Sequence, residues 1–378
     1  MLPIAEPAEI GLCSDQLERA YRILAQWADE NKVPGSALAV GRHGHLVPIQ
    51  FFGKLKPTSI SPAMPDNAIF LIASITKPVT CTGIMILVER GELLLSDRVT
   101  HFIPEFGKNG KNSVKIRHLM THTSGLPDML PENQELRKDH QPLSEFTKRI
   151  CNLELDFPPG QAVQYQSTGM AVLSEVIKRI TQQQLGDFLQ KELFHPLNMR
   201  DTALGVPPSW YDAPRNKTKR IAHIRTGDDE KNTDWHWNSN YWWQFGAPWG
   251  GLMTTPADLA IFFQMMLNKG SYQNTRLLSP ATVHAMTHNQ LQGMPDIQKL
   301  SHKSQPWGLG WRLHWPAHSA NFGDLLSEST FGHWGATGTV GWVDPEHSSF
   351  MILFTTEPQE PHGRYLSLIS NIVASARM

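Results

Sequence analysis

Apolar positions along the chain change period more than once. Residues 14–32, SDQLERAYRILAQWADENK, open on Ser14, a residue type that caps helix N-termini. Leu17, Tyr21, Ile23, Leu24 and Ala28 then follow at helical spacing. Residues 35–53, GSALAVGRHGHLVPIQFFG, switch to a strand pattern and predict two short strands around Arg42–His45. Residues 57–66, rich in Pro, predict a loop. Phe70 to Ala73 is short and apolar, and from Ser74 the pattern is helical through TKPVTCTGIMILVERG, with Gly91 as the residue that closes it. Pro78 falls near the first turn, where its missing N–H is tolerated.

From about 95 to 300 the signals are helices separated by long loops containing Pro and Gly. Residues 169–190 predict one periodic helix. Thr255-Pro256-Ala257-Asp258 reads as an N-cap, a first-turn Pro and a first-turn acid, and Ser279-Pro280 opens another helix in the same way. Residues 205–250 are polar, turn-rich and then aromatic, too long for an ordinary connection. After 305 the pattern changes again: WGLGWRLHW, TGTVGWVD and SSFMILFTTE predict strands with tight turns, and residues 364–377 a closing helix.

The order helix–strand–strand, helical insertion, strands, helix predicts an α/β (α+β) architecture. One antiparallel sheet is made from both ends of the chain (1–60 and 300–378) and flanked by the terminal helices. A mainly helical lobe, 61–299, is inserted between them, with the long loop 205–250 inside it and a cleft between sheet and lobe.

Composition narrows the function. With 34 Lys+Arg against 35 Asp+Glu there is no basic surplus to neutralise phosphates, so no nucleic-acid partner is expected. No run of 18 apolar residues occurs, and no membrane span is expected. The N-terminus carries no signal-peptide pattern, and Cys13, Cys81 and Cys151 have no paired or zinc-ligand spacing. The expectation is free thiols in a cytoplasmic protein that handles a small molecule in a pocket.

Three segments carry candidate chemistry. In Ser74-Ile75-Thr76-Lys77, a serine at a helix start and a lysine three residues on share one face, so the amine can take the hydroxyl proton. An N-cap serine with a surface lysine would read the same. Tyr165 in FPPGQAVQYQSTG sits in a loop before a helix; as phenolate it would be a base, which requires neighbouring cations such as Lys77, whereas most loop tyrosines simply pack. Gly332-His333-Trp334-Gly335-Ala336-Thr337-Gly338 precedes a strand, and its small residues allow backbone N–H groups to approach a ligand, as would any glycine-rich turn.

In this order the three segments resemble the motifs of the serine β-lactamase and penicillin-binding-protein superfamily. The resemblance is to the class C β-lactamase-related branch, which also holds D-aminopeptidases, DD-peptidases and family VIII carboxylesterases. HLMTHTSGLP (118–127), WGGLMTTPADLAIF (249–262) and WGLGW (307–311) are similar to the family's intervening text, and the resemblance runs as a single domain over residues 10–375. It implies a β-lactamase-like fold, with Ser74 as acylated nucleophile, Lys77 as its proton partner and Tyr165 as general base. It further implies an oxyanion hole from the backbone N–H groups of Ser74 and Ala336, substrate binding by Ser167, His333, Trp334 and Gly335, and no metal or other cofactor. Two departures stand out. Ser167 replaces the usual Asn but can still reach Lys77. His333 replaces Lys, and an imidazole is mostly uncharged at neutral pH.

The expected activity is therefore hydrolysis of small esters or amides through an acyl-enzyme on Ser74. A D-amino-acid-specific peptidase acting on short peptides, a penicillin-binding protein or weak β-lactamase, and a non-catalytic binding member of the same fold are the alternatives. Trp235, Trp237, Trp242, Trp243 and Trp249 are candidates to line the acyl or leaving-group pocket, or to pack the 205–250 loop upon itself. His118/His122 and His284/His288 have i, i+4 spacing without the companion glutamate of a zinc site, and no metal is expected.

Overall fold

The computed structural model describes residues 2–214, 216–227, 230, 233–298, 306–313, 321–358 and 363–378. Its first helix, α1 (Ser14–Asp29), is followed by strands β1 (Gly35–Arg42), β2 (His45–Leu46) and β3 (Gln50–Gly53). The expected pair of strands is thus three. β2 and β3 pair with different ends of β1, because the chain breaks at Pro48, which has no N–H to give a ladder. From the other end of the chain come β9 (Arg312–Leu313), β10 (Phe331–Gly335), β11 (Thr339–Asp344) and β12 (Ser349–Thr355). They complete one antiparallel sheet made from both ends of the chain, as the sequence predicts, with the order β2-β1-β12-β11-β10-β9.

Alternation along the central strands explains the two layers. Leu38 and Val40 of β1, Val340 and Trp342 of β11 and Met351 and Leu353 of β12 share one core with α1 and the C-terminal helix α11 (Arg364–Ser375). Ala37 and Ala39 point the other way with Phe350, Ile352 and Phe354, into the core of the lobe. Trp342 Nε1 donates to Ser370 Oγ at 2.9 Å and ties α11 to the sheet.

The lobe is built around α2 (Thr76–Glu89), which is apolar on nearly every side and buried from Thr76 to Leu87. Around it lie α3 (Ile116–Met120), α4 (Asn133–Lys138), α5 (Leu143–Ile150), α6 (Thr168–Thr181), α7 (Leu185–Leu189), α8 (Asn240–Phe245), α9 (Pro256–Leu267) and α10 (Pro280–Thr287). The single helix expected over 169–190 is two, because Gln182 adopts a left-handed φ of 60° and ends α6. The lobe also carries strands that the sequence pattern hides. β4 (Phe70–Leu71), β5 (Ala203–Leu204) and β6 (Leu252–Thr254) form a small sheet of order β4-β6-β5, and β7 (Ser271–Tyr272) pairs with β8 (Thr275–Arg276). Strands of two or three residues leave no periodicity to read. The strand expected over 307–315 is confined to β9, since Gly310 (φ 83°) turns the chain so that Trp307 bridges Arg312. Its last two residues lie outside the described residues.

Candidate active site

Ser74 sits in a single 3-10 turn, Ala73–Ile75, immediately ahead of α2. Ala73 holds φ of 44°, a left-handed conformation that costs a non-glycine residue about 1 kcal/mol or more and that clusters at functional sites. Neighbouring elements maintain it. Thr76 Oγ1 donates to Ala73 O at 2.6 Å, Leu252 N donates to the same hydroxyl at 3.1 Å, and Ile72 N donates to Leu252 O at 3.1 Å. Lys77, one turn on and fully buried, donates from Nζ to Ser74 Oγ at 3.0 Å and to Trp249 O at 3.0 Å. Buried amines need such partners, and here one of them is the candidate nucleophile.

The β10–β11 turn is clamped to the residues before Ser74. Thr337 Oγ1 donates to Leu71 O at 2.8 Å and Thr339 Oγ1 to Ile72 O at 3.0 Å. Gly335 approaches so closely that a Cβ there would stand 2.4 Å from Ile72 O and 2.9 Å from Ala73 Cβ. Ala336, the exposed residue after β10, is thereby brought to the Ser74 turn, the juxtaposition a two-amide oxyanion hole requires.

Tyr165 closes the third side, its ring centroid 4.6 Å from Lys77 Nζ. The loop carrying it is pinned by buried bonds: Gln166 N donates to His122 Nδ1 at 3.1 Å, Ser124 Oγ to Gln166 Oε1 at 2.5 Å, and Ser167 N to Asp128 O at 3.0 Å. Around the phenol ring stand His122 (centroids 4.8 Å), Trp307 (6.0 Å) and His333 (6.0 Å), with the Arg312 guanidinium 5.1 Å from its centroid. Trp307 and Arg312 are absent from the site candidates read in sequence, and His122 enters there only as one of a histidine pair at i, i+4 spacing. Trp307 and Arg312 belong to or adjoin WGLGW, but no spacing rule ties that segment to Tyr165; only the fold does.

His333 is fully buried. Burial first, then Arg312 and Lys77, hold its pKa well below the ordinary imidazole value, so it is neutral at pH 7. Its Nδ1–H donates to Trp334 O at 2.7 Å, which leaves Nε2 as the lone-pair nitrogen. His122 is neutral for the same first cause, burial, followed by Lys77 and Arg312; its Nδ1 accepts from Gln166, so Nε2 carries the proton. Trp334 packs on Phe322 and over Arg312.

Ser167 is buried beside the site, but the two hydrogen bonds of Lys77 Nζ go to Ser74 and Trp249 rather than to it. Of the five tryptophans, Trp249 meets the site directly, through its carbonyl and through a narrow apolar cleft it shares with Ser167, Met129, Leu130 and Phe146. Trp242 joins it through Phe245. Trp235, Trp237 and Trp243 hold the loop together: Trp243 Nε1 donates to Trp237 O at 2.9 Å, and Arg137 stacks over Trp235 and Trp242. His284 and His288 stack on each other with centroids 5.3 Å apart.

An antiparallel sheet with terminal helices on one face, a helical lobe on the other, and a serine–lysine pair at the lobe's first buried helix define a class, the serine β-lactamase and penicillin-binding-protein fold. The Beta-lactamase family model matches residues 17–369, and the chain belongs to that family. It is 26% identical to the "Putative D-alanyl-D-alanine carboxypeptidase" of Salmonella typhimurium, over 96% of this chain and 87% of that protein. Among solved structures it is similar to a penicillin-binding protein homologue from Caulobacter crescentus (TM-score 0.76, 22% identity, 97% of this chain and 99% of that one). The hydrolase EstCE1, described with promiscuous acyltransferase activity, gives a TM-score of 0.76 at 19% identity, over 95% of this chain and 99% of that one. A family VIII carboxylesterase gives 0.72 at 19%, over 96% and 98%.

Proposed function

We propose that this protein is a serine hydrolase that cleaves small esters or amides through an acyl-enzyme on Ser74. The observation that carries the reading is the single nitrogen, Lys77 Nζ, placed 3.0 Å from Ser74 Oγ and 4.6 Å from the Tyr165 ring centroid. Oγ attacks the substrate carbonyl as its proton passes to the Lys77–Tyr165 pair. The tetrahedral oxyanion is met by the amides of Ser74 and Ala336. Collapse breaks the bond to the alcohol or amine, which leaves with the proton. Water then attacks the ester on Ser74, giving its proton to the same pair, and Oγ recovers a proton as the acid departs.

The relatives include proteins named for ester and for peptide substrates. The neutral, buried His333 favours the former, since it supplies no charge to anchor a peptide carboxylate. A fluorophosphonate probe should add one mass increment to the intact protein, lost in Ser74→Ala together with turnover of p-nitrophenyl esters. Retained turnover in that variant would overturn the reading. A long-lived penicillin adduct on Ser74 would favour the peptidase alternative instead.

A further inference from the structure

Among the described residues one arginine faces the Tyr165 ring, and it is not in any of the three motifs. Arg312 begins β9, where its backbone lies in register with Gly332, one residue before His333. Its side chain is 8% exposed and boxed by rings: the guanidinium carbon lies 3.8 Å from the centroid of Trp334, 4.6 Å from Trp307 and 5.1 Å from Tyr165. Stacked guanidinium groups keep a fixed plane, and a planar cation over a ring also fixes the ring.

We propose that Arg312 is the positioning residue of Tyr165: it holds the phenol ring in place beside Lys77 and supplies, across that ring, the positive charge that favours the phenolate as proton acceptor. The inference rests on the reading of Tyr165 as the base. Among the described residues, the titratable and charged groups that face Tyr165 are Lys77 from α2, His122 from the loop after α3, His333 from β10 and Arg312 from β9. Both imidazoles are neutral through burial, which leaves Lys77 and Arg312 as the cations beside the ring among the described residues. Burial lowers the Arg312 guanidinium to about 10, with Tyr165 acting in the opposite sense, and it stays charged at neutral pH. A role as a carboxylate anchor fits less well, because the ring box leaves little of Arg312 for a substrate to touch.

The test is the pH dependence of kcat/KM for Arg312→Met and Arg312→Lys on two p-nitrophenyl esters, the neutral butyrate and the anionic hemisuccinate. Active-site titration with a fluorophosphonate at its endpoint normalises each preparation to folded, reactive protein. For Arg312→Met the rise of activity should move to higher pH, with a loss of about tenfold at pH 7 for each unit of displacement, equal for both esters and recovered in alkali. Arg312→Lys should keep the profile near that of the wild type. In a Tyr165→Phe background, Arg312→Met should add little further loss, since both changes act on one group. A uniform loss at every pH, or a loss confined to the hemisuccinate, would overturn the proposal. If Arg312→Met does not fold, an Arg312→Lys profile displaced as far as that of a folded Arg312→Gln does the same. Absence of any Ser74 adduct in the wild type would instead remove the hydrolase reading itself.

Discussion

Lys77 Nζ donates 3.0 Å to the carbonyl of Trp249, a residue 172 positions away, while also reaching Ser74 Oγ. The amine is therefore held by the lobe independently of Ser74, and the two ends of the pair should respond differently to substitution. Ser74→Ala removes a half-buried hydroxyl but leaves the amine its bond to Trp249 O, and should cost little stability. Lys77→Met strips the donor from a buried carbonyl, which costs about 1–3 kcal/mol, and should lower the rate of Ser74 acylation by about 10²–10⁴-fold. Urea unfolding and stopped-flow labelling on the same two variants check both halves.

Gly335 has no room for a side chain. A Cβ would lie 2.4 Å from Ile72 O and 2.5 Å from Thr339 Oγ1, the atoms that tie the sheet to the Ser74 turn. Gly335→Ala must push the strand and the turn apart, at an overpacking cost of about 1–3 kcal/mol. Because the displaced groups are Ala336 and Ala73, acylation should fall at least about tenfold even where the protein remains folded. A folded variant with the wild-type labelling rate would contradict the placement of the oxyanion amides.

Much of this was legible in the sequence, for identifiable reasons. Long periodic segments such as α1, α9, β12 and α11 announce themselves, and so does the sheet assembled from both termini. Ser74 and Lys77 are adjacent on one helical turn, so their contact is a local matter. Tyr165 was named as a base candidate, with Lys77 beside it and His333 at the same site, but the packing of His122, Trp307 and Arg312 around its ring was not legible, because these residues come from separate regions and meet only through tertiary packing. Strands β4, β5 and β6 are two or three residues long and carry no pattern. The tryptophan-rich segment was legible as a cluster but not as a division of labour, with Trp249 at the site and Trp235, Trp237 and Trp243 packing the loop.

His122 is fully buried and supports the Tyr165 loop. Its Nδ1 takes the Gln166 amide at 3.1 Å and its ring packs on Tyr165 and Trp307. His122→Ala leaves a buried N–H unpaired and a void beside the phenol, for a loss of about 2–4 kcal/mol. His122→Asn, which keeps an acceptor, should recover part of it. The ratio of kcat between the two variants, measured well below their melting temperatures, reports how far ring placement matters to the reaction.

Restoring a lysine at 333 should harm the protein. His333 is fully buried and already stands near Lys77 and Arg312, so a third cation there is desolvated beside two like charges. His333→Lys should cost about 3 kcal/mol or more. Removing the competing charge with Arg312→Met in the same chain should return part of that loss. Two denaturation curves that differ by the same amount in either background would show that the sites do not couple.

The same two imidazoles set how stability depends on pH. His122 and His333 are held neutral in the fold, chiefly by burial, so their folded pKa values lie well below 6.5, the value an unfolded chain restores. Above that value neither state binds a proton and their contribution is full. As pH falls below about 6.5 the unfolded chain takes up protons that the folded one does not, and stability drops by up to about 2.7 kcal/mol per pH unit for the pair. His118 and His223, lowered to about 4 mainly by burial, act in the same sense. Asp258 opposes them: burial raises it to about 6, so its protonated form fits the fold better and it adds stability as pH falls from about 6 towards 3.8. Urea unfolding between pH 7.5 and 5 should show net loss in the wild type. The loss should be shallower in His122→Asn/His333→Asn and steeper in Asp258→Asn. Parallel curves for the wild type and the double histidine variant would mean that these imidazoles are not neutral and buried in the native state.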